Sequence, residues 1–192
     1  MDVSKQDARQ SLELIEGTTV RTRKAIASRY ASSLLILWGL IWALGFMLVH
    51  FWPRRGGQVF WWLDAVGIAA TILIGVRLPS RTSVRSAATS KVLWRMFGFW
   101  FLLFAYGIAW TLLLRPVSGT QVCAFFCTIV MLGYVVIGLW SGSFFMFWLG
   151  LAVTALTFLG YYALPDYFFL WMSPTGGGAL LGTGLYIRIR WR

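Results

Sequence analysis

The sequence predicts an all-α integral membrane protein, with about six transmembrane helices in a compact antiparallel bundle. Three observations predict this class. Hydrophobic residues make up 59% of the chain and charged ones 12%, far from the soluble average of roughly half apolar and about a quarter charged. Apolar runs long enough for one bilayer crossing, about 20 residues each, recur along the chain. The basic residues behind the net charge of +11 punctuate those runs instead of clustering, so they read as a topology signal and not as a nucleic-acid footprint.

Residues 1–31 form a basic cytoplasmic tail. Ser4 and Asp7 fit a capping box, and Ala8, Leu12 and Ile15 recur on one helical face, which predicts an N-terminal amphipathic helix at the inner membrane surface. Its lysines and arginines suit anionic headgroups on that side. No short apolar run with a small-residue cleavage site precedes the first span, which is therefore read as an anchor.

The transmembrane domain covers 32–187, with spans at about 32–52, 58–78, 92–114, 120–140, 143–163 and 167–187. Short connections with turn chemistry separate most of them: Pro53 to Gly57, Arg115 to Gly119, Ser141 to Ser143, and Leu164 to Asp166. Such brief links make neighbouring spans antiparallel. One roomier loop, Pro79 to Lys91, is rich in serine, threonine and alanine. A basic C-terminus, 188–192, closes the chain. If both termini and the Pro79 to Lys91 loop are inside, all 17 basic residues but Arg54, Arg55 and Arg115 face the cytoplasm. The positive-inside bias thus places the protein in a cell inner (plasma) membrane with both termini cytoplasmic.

Few residues could carry chemistry. His50 is the one histidine, no paired carboxylates stand at helical spacing within a span, and neither HExxH nor GxSxG occurs. The sequence therefore predicts no catalytic residue, no metal site and no cofactor. Cys123 and Cys127 share a helical face inside an apolar run and read as packing residues.

Asp64 is the one acidic residue inside an apolar run, and an intramembrane carboxylate is a functional candidate by default. With span two starting near Gln58, Asp64 falls close to the outer face. An ion pair there with Arg54, Arg55 or Arg115 is expected; the sharper alternative is a binding site or proton-sensitive gate shared with His50.

The last span carries Ser173, Pro174, Thr175, Gly176 and Gly177, an interruption of poor helix formers, followed by Gly178, Gly182 and Gly184. Gly178 and Gly182 form GxxxG, and Gly184 extends the small-residue surface, so close helix packing is predicted with a kink at Pro174. The alternative is an unwound SPTGGG backbone that holds an ion or substrate, as in discontinuous transporter helices.

Two functions follow from these readings. One is a homo-oligomer, or an accessory or structural subunit of a larger membrane complex, that acts through helix contacts. The other is a small transporter or channel using Asp64 and the SPTGGG break. An enzyme acting on lipid would need more converging polar groups than the chain offers.

Overall fold

The structure, a computed structural model, describes residues 30–80, 87–115 and 118–190. The predicted tail helix lies outside the described residues. Every element among them is helical, and five helices are long and apolar enough to cross a membrane. These are α1 (Tyr30–Phe51), α2 (Pro53–Ser80), α3 (Ala87–Leu114), α4 (Gly119–Ser141) and α5 (Phe144–Ala163). The sixth predicted span is helical too, but in pieces. A 3₁₀ turn (Pro165–Tyr167) leads into α6 (Phe168–Met172), a π-helical turn (Ser173–Gly178) and α7 (Ala179–Arg190), with α-helical backbone angles at both junctions of the π turn.

Two connections are tighter than the sequence suggests. Only Trp52 separates α1 from α2, because Pro53 starts the new helix: proline at a first helical position sacrifices no hydrogen bond. Arg54, Arg55, Gly56 and Gly57 are thus the first turn of α2 and not a loop. The corner is closed by the Gly56 amide donating to the Trp52 carbonyl at 2.6 Å, and a Cβ on Gly56 would meet the Leu48 carbonyl oxygen at 2.5 Å. At the other end of α2, the helix runs on to Ser80 and α3 begins at Ala87, so helix occupies most of the expected Pro79 to Lys91 loop. Alanine and serine beyond the apolar stretch allow helix to continue where apolar patterning has stopped.

The α4–α5 hairpin has its own punctuation. Ser118 and Ser143 cap the two helices, each side-chain oxygen accepting a backbone amide, and Gly142 ends α4 at φ 65°. Arg115 takes a similar left-handed conformation, φ 45°, after α3 and before Pro116.

Glycines set the helix spacing. Lipid is as apolar as leucine, so helices in a bilayer gain from close backbone contact more than from burying apolar area. A Cβ on Gly138 would meet the backbone nitrogen of Phe147 at 2.5 Å, and one on Gly150 the carbonyl oxygen of Met131 at 2.7 Å, which locks α4 to α5. Gly133 similarly admits Trp100 of α3. On α1, Gly45 receives Phe60 of α2, while Gly39 lies against Leu181 of α7. Helix α1 is therefore sandwiched, with α2 on the face of Gly45 and Ile41 and α7 on that of Ile36, Gly39 and Ala43. Leu35, Trp42 and Phe46 of α1 join Cys127 and Met131 of α4, Val153 of α5, Phe168 and Met172 of α6 and Leu180 of α7 in one core.

Candidate functional site

Asp64 lies midway along the apolar stretch Pro53–Gly75 of α2, roughly 16 Å of helix rise from Pro53. Asp64 is half-buried at the edge of the stripe by which α2 meets α1. That stripe includes Phe60, Gly67, which faces Ile41, and Thr71, which accepts a hydrogen bond from the Trp38 indole at 3.1 Å.

The structure does not bring the expected partners to the carboxylate. Arg54 and Arg55 are almost three turns back along α2, and Arg115 follows the end of α3. None of them pairs with Asp64. Arg55 lines a groove of about 470 Å³ at the α1–α2 corner with Leu48, Trp52, Gly56 and Val59. His50 is near the end of α1, its ring 5.1 Å from that of Phe51 and 6.0 Å from that of Tyr167. Cys127 of α4 is buried. Cys123 lies one turn earlier on the same face and is half-buried. Both thiols are free, and among the described residues no cluster of three histidine, cysteine or acidic side chains could hold a metal.

The SPTGGG interruption is helical, not unwound. Pro174 has no amide hydrogen and its ring would collide with the carbonyl of Leu170 in a regular α-helix; a π turn over Ser173–Gly178 widens the coil at that point. Its hydroxyls are engaged: Ser173 donates to the Ala43 carbonyl at 2.8 Å, and Thr175 to the Trp171 carbonyl at 2.6 Å. Gly177 packs directly on the Ala43 backbone, and a Cβ on Gly176 would meet the Trp42 ring at 3.2 Å.

The three glycines expected to pack divide between two faces. Gly184 lies against Ile36 and Ser32 of α1, where a Cβ would come within 2.7–2.9 Å. Gly178 and Gly182 turn the other way, with no neighbour among the described residues within 4 Å of a would-be Cβ. Helical geometry explains the split: positions 177 and 184 are two turns apart on one face, whereas 174, 178 and 182 advance one turn at a time along the other.

Fold and site together define a polytopic, all-α membrane protein with a carboxylate midway along the apolar stretch of α2 and an outward glycine pair on its last helix. The chain matches no protein-family model, no curated protein and no solved structure.

Proposed function

We propose that this protein acts by assembly: a non-catalytic helix bundle of the inner membrane that binds other transmembrane helices, as a homo-oligomer or as an accessory subunit. The observation that carries the reading is the outward Gly178/Gly182 pair. The glycines buried in the spans are filled by neighbours of the same chain, among them Gly39, Gly45, Gly67, Gly133, Gly150 and Gly177. Gly178 and Gly182 are open, one turn apart, with exposed Pro174 a turn before them. In a fold that uses glycine for backbone contact, an open GxxxG is a seat for a helix from outside the chain. Gly98 of α3 is also open, but it has no glycine one turn away.

The transporter reading has less support. It needs SPTGGG as a ligand site, and there the hydroxyls bond to backbone and Gly176 and Gly177 are packed against Trp42 and Ala43 of α1. What remains to it is Asp64.

The test is extraction into lipid nanodiscs directly from native membranes, followed by native mass measurement. The expected result is a dimer or a stoichiometric complex that is lost in a Gly178→Leu/Gly182→Leu variant whose own melting is unchanged. A wild-type protein recovered only as a monomer would overturn the reading.

A further inference from the structure

The assembly reading leaves open what the protein assembles with, and Asp64 bears on that. We propose that Asp64 is a docking charge for a different protein: a partner's transmembrane helix that carries a lysine or arginine near the middle of its span and lies along the exposed side of α2. The inference rests on the assembly reading and specifies the partner's chemistry.

A carboxylate inside an apolar span needs a partner, and Asp64, midway along the apolar stretch Pro53–Gly75, forms no ion pair with any described residue. The sequence contains no lysine or arginine between Gly56 and Val76, nor in the middle of any other span: the stretches 30–53, 96–114 and 116–187 have none. A second copy has the same deficit, so a homodimer would bring no cation to this depth. Lipid amines stay at the headgroups. A bare metal ion would need more ligands, and among the described residues no three histidine, cysteine or acidic groups converge. A long basic side chain on another helix remains, bringing its own charge and its own anchoring.

The surface beside Asp64 suits such a helix. One stripe of α2 rests on α1, and the rest is open: Trp61, Val66, Ile68 and Ile72 are all exposed. Ala65 and Ala69, also exposed, sit one turn apart next to the carboxylate, a small-xxx-small step that lets a helix backbone come close. A stem of three or four methylenes can cross the remaining gap towards the half-buried carboxylate, packing its apolar length on the way.

The full-length protein, reconstituted in phosphatidylcholine vesicles, is titrated by energy transfer with synthetic polyleucine transmembrane peptides that carry a central lysine, a central arginine or leucine only. The basic peptides are expected to associate at least about tenfold more tightly than the leucine peptide. Asp64→Asn, similar in size and uncharged, should remove that preference while the helical melting curve stays in place. Asp64→Lys should transfer the preference to a central-glutamate peptide. A wild-type protein that does not distinguish lysine from leucine, or a preference that survives in Asp64→Asn, overturns the proposal. Loss of the lysine preference with the glycine-dependent complex still present in native membranes defeats the charge alone; absence of any such complex defeats the assembly reading beneath it.

Discussion

Single atoms decide most in the last helix, where neighbouring glycines do opposite things. Gly177 touches the backbone of Ala43, so Gly177→Ala must push α7 off α1. Overpacking of a close contact costs about 1–3 kcal/mol, and the melting temperature in mild detergent should fall by several degrees. Ser173→Ala removes one hydrogen bond to the Ala43 carbonyl. Intramembrane hydrogen bonds average about 0.6 kcal/mol, so a smaller drop is expected. Gly178→Ala fills open space and gains up to about 1 kcal/mol of helix propensity, so the monomer should melt no lower than wild type. The order Gly177, Ser173, Gly178 is the prediction. A Gly178→Ala variant that melts below Gly177→Ala would reverse the assignment of faces.

At the scale of elements, α2 is held to α1 by one stripe, which makes the Trp38–Thr71 hydrogen bond a sensitive point. Thr71→Val keeps the shape, but leaves a half-buried indole N–H without its acceptor. It should cost about 0.6–1.7 kcal/mol, while Thr71→Ser should cost less. Thermal melting of the two variants checks this, and equal melting would mean the bond contributes nothing to docking. The α4–α5 hairpin turns instead on Gly142 at φ 65° and ψ 18°. An L-residue pays about 1–2 kcal/mol there, so Gly142→Ala should lower the melting temperature. Gly142→Asn should recover much of the loss, since asparagine tolerates this conformation.

For the whole molecule, sidedness is the leading expectation: with both termini inside, reporter fusions at residue 192 and within 81–86 should report a cytoplasmic location. A periplasmic signal from either would break the positive-inside assignment and, with it, the even number of crossings.

Class was legible in the sequence because it depends on local composition; five of the expected spans stand as single apolar helices, while the sixth is helical in pieces. Runs of about 20 apolar residues have one stable solution in a bilayer, where backbone groups must bond within their own segment. The antiparallel order followed from short links rich in proline, glycine and serine. The glycines of the last span were recognisable as packing residues, since any glycine row admits a close neighbour. Which glycine meets which helix was not, because GxxxG has the same spacing whether it faces its own bundle or the outside. The surroundings of Asp64 were hidden for a related reason: Pro53, Gly56 and Gly57 read as a loop one residue at a time, and the packing of α2 on α1 makes them a helical first turn that holds Arg54 and Arg55 almost three turns from the carboxylate. Composition determined that this chain lives in a membrane. Tertiary contact decided which of its polar and small residues face its own core and which face outward, because helix register and helix neighbours are properties of the assembled bundle and of no single stretch of sequence.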